Sequence, residues 1–199
     1  MIGQVDPMAM TRFEKIFVNR ERKGQRNIQK VRSRLDQLPV ENLHNTLELG
    51  CGIGSVSAFL SEDYQMSVIG TDFDPAQIEI AKRTHPEKDG LRYQIEDASN
   101  LSFEDGYFDL VVSQNVFHHV PNWKGAVHEV SRVLTTGGYF LWFDLTFPKF
   151  IVELFQPFVK NYGLYTFEAI MSQFVENRLK ELHHERSLFA HHLVFQKIG

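Results

Sequence analysis

Short apolar runs alternate with segments of helical periodicity through the middle of the chain. Residues 91–98 carry apolar side chains at alternate positions, a pattern typical of a strand with one covered face. Residues 106–113 are almost continuously apolar, as expected for a strand that is covered on both faces. On this basis five strands are predicted, at residues 46–49, 67–72, 91–98, 106–113 and 139–144.

An amphipathic helix is predicted before the first strand, over residues 27–38. Apolar side chains recur there at helical spacing, namely Ile28, Val31, Leu35 and Leu38. Pro39 ends the helix because proline disrupts helical hydrogen bonding. We expect the helix to pack beside the first strand, and the alternative is a solvated basic face.

The segment after the fifth strand is rich in aromatic residues and is interrupted by Pro148 and Pro157. Each proline removes a helical hydrogen bond, so residues 145–164 are predicted to form short, kinked helical pieces. We expect this insertion to cover the ligand cleft as a lid, and the alternative is ordinary core packing. Its aromatic residues are Phe147, Phe150, Phe155, Phe158 and Tyr162.

A helix and two strands are predicted to finish the chain. Thr166 is expected to cap a helix that runs to about Lys180. Strands are then predicted at about residues 182–188 and 190–198. The apolar stripe of the helix consists of Phe167, Ile170, Met171, Phe174 and Leu179.

The most informative motif is a set of three glycines at alternate positions, Gly50, Gly52 and Gly54, directly after the first strand. Glycine allows a tight strand-to-helix turn and removes side chains where a ligand approaches the backbone. Glu48 places a carboxylate beside this turn, which suits a ligand with a positive group better than a bare pyrophosphate. A dinucleotide site would need Gly-x-Gly-x-x-Gly, but Ser55 stands at the third position. The remaining alternative is a turn without a ligand.

The pattern Glu48-x-Gly50-x-Gly52-x-Gly54 resembles motif I of the class I S-adenosylmethionine-dependent methyltransferases. The resemblance implies that the glycine loop, with Cys51, cradles the amino-acid part of S-adenosylmethionine and of its product S-adenosylhomocysteine. It also implies that Glu48 belongs to the polar network around the ammonium group.

Further landmarks of this family follow at the spacing that the family shows. Asp72 lies 22 residues after Gly50, where the resemblance makes it the ribose ligand, with Phe73 near the adenine. Asp74 precedes Pro75 and is expected to cap the next helix.

The resemblance continues over residues 44–144 and is nearest to the methyltransferase type 11 branch, which includes enzymes of quinone biosynthesis, of other small molecules and of lipids. It implies that the Asp97 carboxylate and the Ala98 amide bind the adenine, and that Gln114 contacts the cofactor through its backbone. His118 and His119 follow the fourth strand at the ligand-binding edge of the sheet, so either could be a catalytic base. The alternative for each is a structural or exposed histidine.

The family fold is α/β: a Rossmann-like seven-stranded sheet of order 3-2-1-4-5-7-6, with the last strand antiparallel and helices on its flanks. We expect residues 1–199 to form a single domain. Its predicted parts are an N-terminal helical segment (1–40), a cofactor-binding core (41–144), a lid or insertion (145–165), and a C-terminal helix with a β-hairpin (166–199).

Composition is consistent with one globular domain of 199 residues, with 43% hydrophobic residues and a net charge of −4. Cys51 is the single cysteine, which excludes a disulfide within the chain and suits a reducing, cytoplasmic location. We interpret it as a packing residue and not as a nucleophile. Residues 1–10 lack the features of a secretory signal, no apolar run reaches membrane-spanning length, and the histidines lack zinc-site spacing. No metal is therefore predicted.

Positive charge is concentrated at the N-terminus. Residues 1–46 contain nine Lys and Arg against five acidic residues, whereas the remainder is net negative. This segment is either a solvated face or a surface that meets an anionic membrane or a phosphate-bearing substrate. A membrane-peripheral location is therefore the alternative to a purely cytoplasmic one.

The predicted activity is methyl transfer from S-adenosylmethionine to a small, apolar or aromatic acceptor. Enzymes that methylate exocyclic base amines carry a Pro-Pro-aromatic motif after strand four, and the sequence Ser113-Gln114-Asn115-Val116 disfavours nucleic acid as a partner. The alternatives are a phospholipid or quinone-type acceptor in a membrane, a non-catalytic cofactor-binding module, and a nicotinamide-dependent reductase. The sequence leaves the acceptor atom and the oligomeric state open.

Overall fold

A computed structural model describes residues 21–199, and in this part of the chain seven strands form one sheet of order β3-β2-β1-β4-β5-β7-β6. Neighbouring strands from β3 to β5 are parallel, and β7 is antiparallel to both β5 and β6. The predicted Rossmann-like sheet is confirmed. Its strands are β1 (Asn45–Leu49), β2 (Ser67–Asp72), β3 (Leu91–Ile95), β4 (Phe108–Gln114), β5 (Leu134–Leu145), β6 (Leu179–Ser187) and β7 (Ala190–Lys197).

Helices cover both faces of this sheet. Alternation along β5 illustrates the two cores: Phe140 and Trp142 belong to one apolar cluster, and Leu141 and Phe143 belong to the other. The described helices are α1 (Glu21–Leu35), α2 (Ser55–Asp63), α3 (Pro75–Thr84), α4 (Trp123–Val133), α5 (Lys149–Phe155) and α6 (Phe167–Glu176).

The predicted N-terminal amphipathic helix is present as α1, with different bounds from the predicted 27–38. Val31 and Leu35 are fully buried, so its apolar face packs into the core. The helix packs mainly against α2 rather than beside β1. Arg32 accounts for part of this arrangement, because its guanidinium bonds to Asp63 at 2.8 Å and lies 4.9 Å from the ring centroid of Phe59.

The C-terminal helix has its predicted cap, but it ends earlier than predicted. The Thr166 hydroxyl accepts a hydrogen bond from the Ala169 amide at 3.2 Å, which confirms the cap. The prediction that the helix reaches Lys180 is wrong, because Arg178 takes a φ of +59° and turns the chain out of the helix. Leu179 is therefore buried as the first residue of β6, which begins three residues before the predicted strand.

Residues 145–165 contain the predicted short helix, α5, which begins directly after Pro148. Several apolar side chains of this segment face solvent, with exposed fractions of 66% for Phe150, 59% for Leu154 and 81% for Phe158. Ordinary core packing therefore does not describe these side chains. The division of the chain into the four predicted parts stays a prediction.

Some predictions concern residues 1–20, which lie outside the described residues. They include the absence of a secretory signal and the part of the basic surface that contains Arg12, Lys15 and Arg20. Within residues 21–199, no helix combines the length and apolar character that a membrane span requires. In the same range, no group of three or more potential metal ligands comes together.

Candidate active site

A cleft of about 260 Å³ opens at the carboxyl ends of β1, β2 and β4. This is the edge at which open α/β sheets bind ligands. Most of the residues predicted from the sequence line it, whereas Gly54 and Asp97 are not among its lining residues. Those that line it are Glu48, Gly50, Cys51, Gly52, Asp72, Phe73, Ala98, Gln114, His118 and His119.

The glycine loop forms the floor of the cleft and requires glycine for conformational and steric reasons. Gly50 and Gly54 have φ values of +67° and +80°, in the region that other residues rarely adopt. A Cβ on Gly50 would lie 2.4 Å from the Cγ2 atom of Val116, and one on Gly54 would lie 2.5 Å from the Tyr93 hydroxyl. Gly54 therefore serves the turn and the packing behind it, while the loop main chain faces the cleft.

Asp72 connects the end of β2 to the glycine loop. Its Oδ2 accepts a hydrogen bond from the Gly52 amide at 3.0 Å, and its Oδ1 accepts one from the Asp74 amide at 3.0 Å. A carboxylate offers about four acceptor directions, so it can hold the loop and still accept from a ligand. Asp74 accepts from the Ala76 amide at 2.9 Å with Pro75 in the first turn, which confirms its predicted capping role.

Glu48 lies below the loop with 4% of its surface exposed, and it accepts a hydrogen bond from the Ser57 hydroxyl. Burial raises its pKa to about 8, although the Ser57 bond acts in the opposite direction, and the Asp72 charge adds to the increase. At neutral pH this carboxyl group is therefore mostly protonated. Burial, and then the Glu48 charge, also raise the pKa of the Cys51 thiol, which supports the interpretation of Cys51 as an unreactive packing residue.

The loop after β3 differs in detail from the sequence prediction. Asp97 forms a local turn, in which its Oδ1 accepts from the amide and from the hydroxyl of Ser99, each at 2.8 Å. The neighbouring Glu96 lines the cleft instead, and its carboxylate accepts from the Ser102 amide at 3.1 Å. Sequence reasoning missed Glu96 because two adjacent acids, Glu96 and Asp97, directly follow this strand, and only the turn decides which one lines the cleft. Adenine binding by Asp97 and Ala98 stays a prediction.

Gln114 ends β4 and is one of the residues that line the cleft, and both polar atoms of its side-chain amide are buried. Among the described residues, neither its Nε2 nor its Oε1 has a hydrogen-bond partner. An unsatisfied buried polar group costs roughly 1–3 kcal/mol, so a ligand with a matching donor and acceptor would stabilise this site. The residues present therefore fit a polar ligand such as S-adenosylmethionine, and the backbone contact of Gln114 with the cofactor stays a prediction.

His118 and His119 lie on a 3₁₀ turn, Phe117–His119, at one side of the cleft. The Nδ1 atom of His118 bonds to Asp144 Oδ1, and Asp144 is buried at the carboxyl end of β5. Sequence reasoning did not select Asp144. A signal was available, because an acidic residue stands at the end of strand five, which is the neighbour of strand four.

The first turns of α1 also reach the cleft through Lys23, Gly24 and Asn27. A Cβ on Gly24 would lie 2.9 Å from the Ser55 hydroxyl oxygen, so the two helices approach closely at this point. Burial lowers the pKa of Lys23, with Lys30 and then Arg26 contributing in the same direction. These residues were missed because they lie more than twenty positions before the glycine motif and belong to no recognised pattern.

A family model described as a methyltransferase domain matches residues 47–142. The chain is 36% identical over 104 residues to 2-methyl-6-phytyl-1,4-hydroquinone methyltransferase of Synechocystis sp., over 52% of this chain and 32% of that protein. It is 37% identical over 100 residues to phthiotriol/phenolphthiotriol dimycocerosates methyltransferase of Mycobacterium tuberculosis, over 50% of this chain and 37% of that protein. The matches thus span about a third of the length of these curated relatives.

Solved structures share the fold at low sequence identity. A protein from Pyrococcus horikoshii OT3 superposes with a TM-score of 0.75 at 20% identity, over 95% of this chain and 100% of the other. Geranyl diphosphate C-methyltransferase from Streptomyces coelicolor A3(2), solved with Mg2+, geranyl-S-thiolodiphosphate and S-adenosyl-L-homocysteine, superposes with a TM-score of 0.67 at 14% identity, over 78% and 70%. Residues 47–142 therefore form a methyltransferase domain of the S-adenosylmethionine-dependent type, within the fold that these solved structures share.

Proposed function

We propose that this chain transfers a methyl group from S-adenosylmethionine to a small, apolar or aromatic acceptor. The observation that best supports the proposal is the glycine loop, whose main chain faces the cleft and is bonded to Asp72. The glycine loop, Asp72 and Gln114 would each hold a different part of one elongated ligand. When bound, the cofactor would supply a sulfonium methyl group that is open to attack by a nucleophile.

The residues of the cleft would each bind a different part of the cofactor. The main chain of the glycine loop and Glu48 hold the amino-acid moiety, with Lys23 close enough to the cleft to meet a carboxylate. Asp72 accepts hydrogen bonds from the ribose hydroxyls, and the Phe73 side chain packs on the base. The protein's main contribution is then to align the acceptor with the methyl group and to exclude water.

Calorimetric titration with S-adenosylhomocysteine, with NAD as a parallel ligand, tests cofactor choice. Binding of S-adenosylhomocysteine and not of NAD supports the proposal, and the reverse result would favour a nicotinamide-dependent reductase. Transfer of radiolabelled methyl from S-adenosylmethionine to a set of hydroquinones then tests turnover. Tight binding without transfer to any acceptor would instead favour a non-catalytic cofactor-binding module.

Cofactor binding is expected to release roughly one proton per site at pH 7, because a cationic ligand favours the ionised form of Glu48. Glu48 has a pKa of about 8 without the ligand, so affinity should increase as the pH rises towards 8 and then level off. Calorimetry in phosphate and in Tris measures the number of protons released, since the two buffers differ in ionisation enthalpy and the observed binding enthalpy changes accordingly. Glu48→Gln should abolish this release, whereas Glu62→Gln, at an exposed residue of α2 paired with Lys88, should retain it. Equal proton release in Glu48→Gln and wild type would contradict the assignment.

A second candidate acceptor is a lipid or quinone-type molecule held in a membrane. The names of both relatives state their acceptors, a 2-methyl-6-phytyl-1,4-hydroquinone and phthiotriol/phenolphthiotriol dimycocerosates. In this chain, an exposed apolar surface formed by Phe150, Leu154, Phe155 and Phe158 lies in the segment that returns to the cleft. The Gly163 amide at the end of this segment donates to the His118 carbonyl at 3.0 Å.

The predicted basic N-terminal surface gives weaker support for membrane contact. Among its described residues, Arg32 pairs with Asp63 and Arg34 pairs with Glu185, and Arg34 is buried. Vesicles with and without phosphatidylserine therefore distinguish the two modes. Contact through the apolar surface of residues 150–158 should change little with lipid charge, whereas contact through basic residues should require anionic lipid.

Substitution of Phe150 and Phe158 together by Ser is expected to reduce binding to phosphatidylcholine vesicles by roughly tenfold or more, since two exposed rings would no longer enter the lipid. Flotation of the protein with vesicles measures the effect. Val175→Ser is the control, because Val175 of α6 is 69% exposed and lies outside this surface. Equal flotation of the double variant and the control would exclude lipid contact through the apolar surface of residues 150–158.

A further inference from the structure

Asp144 is held rigidly beneath the turn that carries His118. Its Oδ2 accepts from the amides of Val116 and Phe117, at 2.9 and 2.7 Å, and its Oδ1 accepts from its neighbour Leu145 at 2.7 Å. The carboxylate is 2% exposed. Three backbone donors and the imidazole thus fix its orientation, so the end of β5 and the turn after β4 form one unit.

This contact determines how His118 presents its ring. A carboxylate can only accept, so the Nδ1 atom that faces Asp144 carries the hydrogen. The neutral imidazole then has Nε2 as its proton acceptor, and His118 lines the cleft. His119 stands beside it, with the ring centroids 4.0 Å apart, and its ring lies 5.6 Å from that of Tyr162.

We propose that His118 is the general base of this site, that Asp144 is its positioning residue, and that the acceptor is a phenol or enol that loses a proton as it is methylated. The inference rests on the proposed methyl transfer. The acceptor O–H proton passes to Nε2 of His118, a bond forms between the acceptor oxygen (or the enol carbon) and the methyl carbon, and the carbon–sulfur bond breaks with its electron pair on sulfur. His118 later returns the proton to solvent.

The acceptor class follows from what a base contributes. A phenol or enol reacts far better as its anion, and a positioned base typically contributes 10²–10⁴-fold to such a step. A neutral amine or a thioether attacks through a lone pair that it already has, so a buried His–Asp pair would bring it little advantage. Within residues 21–199, the titratable groups near the pair include His119 on the same turn, and Tyr162 and Tyr165 in the segment after α5.

The first test uses phenolic acceptors of different acidity with His118→Asn. Asn can still donate to Asp144, so the variant removes the base and keeps the carboxylate bonded. Turnover of a methylated 1,4-hydroquinone, which is un-ionised at pH 7, should fall by roughly 100-fold or more. Turnover of a dinitro-substituted phenol, which is already ionised at pH 7, should remain close to wild type, and a merely structural role for His118 would lower both rates.

The second test addresses Asp144 and the neighbouring histidine. Asp144→Asn should lower kcat for the hydroquinone by at least roughly tenfold and shift its pH profile, with little change in affinity for S-adenosylhomocysteine. Nitrogen-15 NMR should report the Nδ1–H tautomer of His118 in wild type and its loss in Asp144→Asn. His128→Asn is the control, since His128 lies on α4 and contacts Asn177 outside the cleft.

Three results would overturn the proposal. The first is loss of turnover in His119→Asn with normal turnover in His118→Asn. The second is an Nε2–H tautomer of His118 in wild type. The third is that every phenol and enol tested stays unmethylated although S-adenosylhomocysteine binds, whether amine or thioether acceptors are methylated or no acceptor is. A failure of S-adenosylhomocysteine to bind would instead refute the proposed function itself.

Discussion

Asp72→Ala is expected to weaken S-adenosylhomocysteine binding by roughly 100-fold, since charged hydrogen bonds contribute about 1.5–3 kcal/mol each and about 1.4 kcal/mol corresponds to tenfold in affinity. The substitution removes the proposed acceptor for the ribose hydroxyls. It also removes the bond from the Gly52 amide, so the glycine loop loses one of its fixed points. The first loss acts only on the bound state, whereas the second acts on the loop in the free protein as well, and calorimetry measures the net change in affinity.

The two contributions can be separated with Asp72→Asn, whose side-chain oxygen can still accept from Gly52 while the negative charge is absent. We expect it to bind with an affinity between those of wild type and Asp72→Ala. Asp74→Asn is a matched control two residues away, because Asn caps a helix about as well as Asp and this side chain bonds to the Ala76 amide. Unchanged affinity in Asp72→Ala would refute the proposed way in which the cofactor is held.

Trp142→Ala is expected to lower the free energy of unfolding by about 4 kcal/mol, within the range measured for large aromatic residues replaced in protein cores. Trp142 is fully buried in β5, with its ring centroid 5.4 Å from that of Phe174 and 6.3 Å from that of Phe117. Phe117 begins the turn that carries His118. Urea unfolding followed by circular dichroism measures the loss.

Trp142→Phe should lower the free energy of unfolding by clearly less than Trp142→Ala, since a phenyl ring leaves a smaller cavity than a methyl group does. The indole Nε1 of Trp142 is buried and has no hydrogen-bond partner within residues 21–199, so its removal leaves no acceptor unpaired there. The comparison isolates ring packing from the loss of the indole nitrogen. Similar unfolding midpoints for the Ala and Phe variants would contradict the packing role.

Local sequence patterns were sufficient to predict most strands of the parallel part of the sheet. Apolar runs and glycine spacing located β1 to β4 and the turn at Gly50, because strand periodicity and positive φ are properties of short segments. The cap at Thr166 was predictable for the same reason. The end of α6 was not, since nothing in residues 176–180 marks Arg178 as the residue that reverses the backbone.

The sequence by itself determined the glycine loop and the acid at the end of β2, since each depends on residues close together in the chain, and the fold class followed from the resemblance that these motifs carry. The tertiary structure decided which side chains meet at the cleft. Lys23 is brought to it by the packing of α1, Glu96 by a turn that leaves Asp97 bonded to Ser99, and His118 is joined to Asp144 across two parallel strands. Such contacts depend on how distant elements pack, and sequence spacing carries no distance information of that kind.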